Sequence, residues 1–239
     1  MDKYEQLKEI LNTSKNIVVF TGAGISVPSG IPDFRSANGL YGENYQRLSP
    51  EEIISHSFFM KNPKLFFEFY GDKMVYPNAK PNLAHLYFAN LKNVKAVVTQ
   101  NIDGLHQAAG SRSVYELHGS VLRNYCMKCK KFYPLETIDP KKPNYCSCGG
   151  MIKPDVVLYE ESLDAEVIYP AIDAISKADT LIVIGTSLVV YPAASYLQYF
   201  NGKNLILINK SSTSFDSKAN LVFNEDVIEV VKRLQEKSI

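Results

Sequence analysis

Four thiols, a histidine and two polar turns are the groups in this chain whose types and spacing can do chemistry. Cys126-Met-Lys-Cys129 and Cys146-Ser-Cys148, separated by residues 130–145, give four thiolates that can converge on one tetrahedral Zn²⁺. A metal held by four thiolates has no open position for water, so its work is structural. Two other readings of these residues stand beside this one: a redox pair, and a zinc ribbon that binds nucleic acid. The spacing Cys146-Ser-Cys148 is also tighter than the usual Cys-x-x-Cys.

Thr21-Gly22-Ala23-Gly24-Ile25-Ser26 is a glycine turn of the kind that lets a phosphate approach backbone N–H groups at a helix start. The dinucleotide fingerprint wants a third glycine where this chain has Val27, so the turn by itself is equally a plain tight turn. Gly30-Ile-Pro-Asp-Phe34-Arg35 follows, and offers an aromatic cover and a phosphate clamp, or a core phenylalanine beside a solvated arginine. In Thr99-Gln100-Asn101-Ile102-Asp103-Gly-Leu-His106, three hydrogen-bonding side chains end an apolar run. They can orient a small polar ligand, although Asx turns explain the asparagine and aspartate as well. Glu116-Leu-His118-Gly119 ends another run, and His118 there is a structural side chain or a general base. The chain has 4 histidines and position does not choose among them.

These groups need elements to hold them. Tyr4, Leu7, Ile10 and Leu11 mark one face of a helix, and Ile17–Phe20 is a continuous apolar run. Val94–Val98, Leu181–Ile184 (before Gly185-Thr186-Ser187) and Leu205–Ile208 (before Asn209-Lys210) repeat that pattern. Continuous rather than alternating apolar strands between helical patterns predict a parallel sheet covered on both faces, with ligands beyond the carboxyl ends. Two segments interrupt it: a helical, Phe-rich stretch from Ser36 to Tyr76, and the loop-rich cysteine stretch from Arg123 to Met151, which lacks a core of its own. Asp226–Lys237 reads as a helix covering the sheet. With 239 residues, 46% hydrophobic and 21% charged, the composition is globular, not disordered. The balance of 26 basic and 25 acidic residues provides no overall field for nucleic acid or anionic lipid. No apolar stretch reaches membrane-span length and the start has no secretory pattern, so a cytoplasmic protein with no membrane partner is expected.

Taken in order, these segments resemble the sirtuins, a family of NAD-dependent protein-lysine deacylases. The resemblance is carried by Gly22-Ala-Gly-Ile-Ser26, Gly30-Ile-Pro-Asp-Phe-Arg35, Thr99–His106, Leu117-His-Gly119, the four cysteines, Gly185-Thr-Ser187 and Asn209, and runs from about Asn16 to Val227. It implies an α/β fold: a Rossmann-like domain from residues 1–35, 77–122 and 152–239, and a small domain from the helical module 36–76 and the zinc ribbon 123–151. NAD would be a consumed co-substrate, meeting an acetylated protein lysine in the cleft between them. The acyl oxygen would attack C1' of the nicotinamide ribose and leave an alkylimidate. His118 would then accept a proton from the ribose hydroxyls so that the 2'-OH attacks it. The products would be free lysine, nicotinamide, which is also expected to inhibit, and 2'-O-acetyl-ADP-ribose. An imidazole with an ordinary pKa of about 6.5 is mostly neutral at working pH and suits that task.

The resemblance also assigns positions. Asn101 joins His118 at the reaction and, with Ile102 and Asp103, forms the nicotinamide pocket, Asp103 accepting from the carboxamide. Phe34 would cover C1', Gly22, Ala23 and Arg35 would lie at the phosphates, Gln100 at a ribose, and Val27 beside the dinucleotide. Gly185, Thr186, Ser187, Asn209, Lys210, Asp226 and Val227 would hold the adenosine end. Val156, Val157, Leu158 and Tyr159 would pair with the substrate peptide as an added strand. Glu160 stands where many members have glycine, which puts peptide-end preference in question. In Phe69-Tyr-Gly-Asp-Lys73 a lysine occupies the place of the arginine that clamps acidic acyl groups in some members, so uncharged acyl groups are expected, acetyl first. Longer acyl chains and mono-ADP-ribosyl transfer are alternatives in the same pocket. An NAD-sensing zinc-ribbon module is an alternative of another class. A hydride-transfer dehydrogenase lacks its third glycine and strand-end acid.

Overall fold

The computed structural model describes residues 2–33, 39 and 45–236. Helix α1 (Lys3–Thr13) buries Tyr4, Leu7 and Leu11, and β1 (Ile17–Thr21) is buried throughout. The chain then makes two short 3-10 turns, Ala23–Ile25 and Val27–Ser29, where an α-helix was expected. Pro28 removes an N–H, and Gly30, at φ 86°, ends the run in the left-handed region. Helices α2 (Pro50–Ile53), α3 (His56–Lys61) and α4 (Pro63–Lys73) form the Phe-rich segment. Ser49 and Ser55 cap the first two by accepting from the amides of Glu52 and Phe58, and Pro63 opens the third.

The rest runs through α5 (Leu83–Asn90), β2 (Val94–Thr99), α6 (Leu105–Ala108), β3 (Val114–Glu116), β4 (Gly119–Cys126), β5 (Phe132–Pro134), β6 (Asn144–Tyr145) and β7 (Met151–Val156). It closes with α7 (Ala165–Lys177), β8 (Thr180–Ile184), β9 (Asn204–Ile208), β10 (Leu221–Phe223) and α8 (Val227–Gln235). Six strands form one parallel sheet in the order β10-β9-β8-β1-β2-β3. The four continuous apolar runs are its four inner strands, and the three-residue β3 and β10 are its edges. Alternate residues of β1 face opposite cores. Ile17 and Val19 pack with Leu7, Leu11, Phe88, Val230 and Val231 under α1, α5 and α8. Val18 and Phe20 pack with Ala171 and Ile175 of α7 and with Ala194 and Leu197. Each such buried aliphatic side chain contributes about 1.5–3 kcal/mol, which ties the helices to the sheet.

Successive strands step one way from β1 to β3 and the other way from β8 to β10. Their carboxyl ends therefore open a crevice between β1 and β8, the usual ligand position in such a sheet. The cysteine stretch holds more order than its loop-rich composition predicts: a four-stranded antiparallel sheet, β5-β4-β7-β6, with Cys126, Cys146 and Ile152 buried at its centre. Strands β4 and β7 run through positions 122/123 and 151/152, from the crevice to the cysteines. Against them pack Phe59, Phe66, Phe67, Phe69 and Tyr70 of α3 and α4, sharing a core with Val121, Val156 and Leu158. Among the described residues no helix is long and apolar enough to cross a membrane.

Candidate active site

A cavity of about 670 Å³ lies at the carboxyl ends of β1, β2, β8 and β9 and extends under β7 and the loop after it. Ala23, Val27, Gln100, Asn101, Ile102 and His118 line it from the β1–β4 side. Gly185, Thr186, Ser187, Asn209, Lys210, Asp226 and Val227 line the opposite end, and Val156, Val157, Leu158 and Tyr159 the third wall. Gly22 and Asp103 stand behind these walls, and Phe34 and Arg35 lie outside the described residues.

The glycine turn forms because two backbones must touch. The Gly22 amide donates to the Ile184 carbonyl (3.0 Å) and the Gly24 amide to that of Gly185 (2.8 Å). A Cβ at Gly24 would lie 2.6 Å from the Gly185 Cα, so no side chain fits where the turns after β1 and β8 meet. The missing third glycine follows from this geometry: Val27 begins a separate 3-10 turn and is 38% exposed on the cavity rim, free of the close approach.

Behind the wall lies a buried polar network that fixes the loop after β2. Ser26 Oγ accepts from Asn101 Nδ2 (3.1 Å) and donates to Asp103 Oδ2 (2.7 Å), while Asp103 Oδ1 accepts from the Leu105 amide (2.9 Å). Burial pushes the Asp103 carboxyl up, against the lowering effect of those bonds. Gln100 Oε1 accepts from Thr186 Oγ1 (3.0 Å), which joins the loops after β2 and β8, and Gln100 Nε2 is buried without a partner. A buried donor with no acceptor, at the cavity wall, suits a ligand hydroxyl.

His118 Nδ1 lies 2.9 Å from the Gln100 carbonyl oxygen. A carbonyl only accepts, so Nδ1 carries the proton and Nε2 is the basic nitrogen. Burial holds the ring below the ordinary imidazole range and keeps it neutral near pH 7, although the Gln100 carbonyl raises it slightly. Gly119 follows at φ 76°, where a Cβ would lie 1.9 Å from the Asp155 carbonyl oxygen. Only glycine lets β4 meet β7 directly after the histidine. Arg123 bonds both Glu116 (2.6 Å) and Asp155 (2.7 Å), an ion-pair bridge between β3, β4 and β7.

Sequence reasoning left Ser26 without a role, and likewise His85 and His106, whose rings meet edge to face at 4.9 Å beneath this network. His85 Nε2 lies 3.5 Å from Ser26 Oγ and His106 Nε2 3.0 Å from Thr21 Oγ1. Burial depresses both pKa values, His85 to about 4 and His106, with some help from His85, to about 3. Between those values and about 6.5 the unfolded chain binds protons that the folded chain does not, so stability falls as pH drops. A Tm that declines from pH 7 toward pH 4.5, by more in the wild type than in His106→Asn, is the expected result; a flat Tm across that range counts against it.

At the far end, Lys210 pairs with Asp226 (2.8 Å), which also caps α8 through the Ile228 amide, and Asn209 Nδ2 donates to the Ser211 carbonyl (2.7 Å). The Tyr70/Lys73 argument for acyl choice is corrected in its residues: Tyr70 is sealed in the Phe core and Lys73 is exposed, and neither lines the cavity. The adjoining wall is apolar instead, with Ile54, Met74, Ile102, Val156 and Leu158.

The four cysteines lie outside this cavity. Their Sγ atoms are all within 4.8 Å of one another, with Cys126–Cys148 at 3.5 Å and Cys129–Cys146 at 3.6 Å. Tetrahedral thiolates at about 2.3 Å from Zn²⁺ stand about 3.8 Å apart, so the set fits a zinc. The tight Cys146-Ser-Cys148 turn closes through Gly149, at φ 80°, and a bond from the Cys146 amide to the Gly150 carbonyl (2.8 Å).

Residues 22–192 match the Sir2 family. A Clostridium perfringens NAD-dependent protein deacetylase is 60% identical over 240 residues, covering 98% of each chain. A Sir2 structure with a p53 peptide and NAD⁺ aligns with a TM-score of 0.85 at 40% identity, covering 98% of this chain and 97% of that one. Another, with a deacetylated p53 peptide and 3'-O-acetyl-ADP-ribose, reaches a TM-score of 0.88 at 39% identity over the same shares. The chain belongs to the Sir2 family.

Proposed function

We propose that this chain is an NAD-dependent protein-lysine deacetylase, and the observation that carries the reading is His118. Its Nδ1 is committed to the Gln100 carbonyl, and its unprotonated Nε2 belongs to a ring on the wall of a cavity large enough for a dinucleotide and an acyl-lysine together. NAD, consumed as co-substrate, supplies the ADP-ribose that receives the acetyl group and the nicotinamide that leaves. His118 takes the ribose hydroxyl proton, Asn101 stands beside it, and the Ser26 network holds Asn101 and Asp103 in place. Asp103, behind the wall, keeps lone pairs for a carboxamide. Gln100 Nε2 donates to a ribose hydroxyl, Gly22 and Ala23 admit the phosphates, and the loops from Gly185 to Ser187, Asn209 to Lys210 and Asp226 to Val227 hold the adenosine end. Phe34 and Arg35 are proposed as cover and clamp on the resemblance alone.

The peptide lies along Val156–Tyr159 with its acyl chain toward the apolar wall, which favours uncharged acyl groups. The cleft separates a Rossmann-like domain from a small domain of helices and zinc ribbon. Nicotinamide inhibits as a product that re-enters its own pocket. A net charge of +1 gives no basis for a nucleic-acid partner, and the reduced cytoplasm would keep the four thiols available to zinc. The test is mass spectrometry of an acetyl-lysine peptide with and without NAD. Deacetylated peptide, nicotinamide and O-acetyl-ADP-ribose appearing together, only with NAD, is the expected result. NAD consumed while the peptide stays acetylated would move the reading to ADP-ribosyl transfer.

A further inference from the structure

We propose that Glu160 is a positioning residue for the peptide substrate: its carboxylate clasps the far end of the 156–161 loop to the start of α3 and so holds the edge on which the peptide lies. The proposal rests on the deacetylase reading above. Glu160 sits at φ 74°, a region that favours glycine, so a side chain there is retained against a steric cost. Both of its oxygens are used. Oε2 accepts from the Ser57 amide (2.8 Å) and Oε1 from the Ser57 hydroxyl (2.9 Å). Those bonds, from the amide first and then the hydroxyl, hold the carboxyl below its ordinary range, so it is charged when it binds them.

The neighbours show what the clasp closes. The Tyr159 amide donates to the Ile54 carbonyl (3.1 Å) and the His56 amide to the Tyr159 carbonyl (2.9 Å). Glu161 bonds His56 Nδ1 (2.8 Å) with one oxygen, and the Leu158 amide (2.9 Å) and Lys153 Nζ (3.1 Å) with the other. Three successive residues thus join one short stretch of the helical segment. The near end of the loop has a separate anchor, the Val157 amide on the His118 carbonyl (3.0 Å). Loosening the far end therefore disturbs the peptide edge before it disturbs the histidine. Each Glu160 oxygen already holds a donor from Ser57, and the role assigned to the residue is to fix the loop backbone on which the peptide lies.

The experiment compares Glu160→Ala, Glu160→Gly, Glu160→Gln and Ser57→Ala with the wild type. It uses steady-state kinetics on an acetyl-lysine peptide at saturating NAD, peptide binding by fluorescence anisotropy, and amide hydrogen exchange across residues 154–161. Glu160→Ala, which loses two charge-assisted bonds, is expected to raise the peptide KM about fivefold or more, with the smaller share of the effect in kcat, and to speed exchange at residues 158–161. Glu160→Gln and Ser57→Ala should fall between it and the wild type. Glu160→Gly removes the steric cost and should recover Tm while leaving KM raised, which separates positioning from stability. An unchanged KM and exchange rate in Glu160→Ala, or a loss confined to kcat, overturns the clasp and leaves the deacetylase reading intact. Wild-type protein that binds no acetyl-lysine peptide overturns both.

Discussion

Replacing His118 with alanine is expected to lower NAD-dependent deacetylation by about 10²–10⁴-fold, the usual range for loss of a positioned general base, with NAD affinity changed only a few-fold. The asymmetry follows from how the ring is held. Its Nδ1 proton goes to the Gln100 carbonyl, a backbone atom whose position is set by β2 and by the Gln100–Thr186 bond, so deleting the ring leaves the cavity walls standing. The residues at the opposite end of the cavity, Gly185–Ser187, Asn209 and Lys210, belong to other loops altogether. Because burial holds the imidazole below its ordinary range, the wild-type rate should stay flat as pH falls from 8 through about 6.5 and decline only below that. Initial rates across pH, with calorimetric NAD titrations of wild type and variant, test this. An alanine variant within tenfold of wild-type turnover would remove His118 from the role of base.

The sequence made the sheet legible because the inner strands are buried on both faces, which writes them as continuous β-branched runs such as Ile17–Phe20 and Leu181–Ile184. Their glycine and polar ends were legible for the same reason: a chain leaving a buried strand has no other cause to change character so sharply. Ser26 was not, since its partners Asn101 and Asp103 are about 75 residues away and only the parallel pairing of β1 with β2 brings them together. Lys73 misled through its place at a helix end. By spacing it shares the face of Phe66, Phe69 and Tyr70, but it is the last residue of α4, where the small core stops, so Tyr70 is buried and Lys73 lies in solvent. Strands of two or three residues, such as β5 and β6 among prolines and lysines, carry too little periodicity to separate from loop.

Those short strands are also why the metal matters. The centre of the cysteine module consists of Cys126, Cys146 and Ile152, with Tyr133, Ile138 and Cys148 packed around them, far too little apolar surface to order the segment unaided. Zinc on four thiolates contributes on the order of 10 kcal/mol to folding in small modules of this kind, more than that core supplies. Stripping the metal with a strong chelator, or substituting Cys146→Ser, is therefore expected to melt β5, β6 and the outer ends of β4 and β7. The consequence reaches the chemistry because β4 begins at Gly119, directly after His118, and β7 ends at Val156, where the peptide edge proposed above starts. Deacetylation should fall by more than about tenfold as zinc leaves and return when zinc is restored. The parallel sheet has its own cores on both faces and should persist, so far-UV circular dichroism should lose only part of its signal and NAD-dependent heat of binding should survive in reduced form. Elemental analysis alongside these measurements decides the matter: protein verified as zinc-free that keeps its Tm and its turnover would mean the helices packed on β4 and β7, and not the metal, hold the module in place.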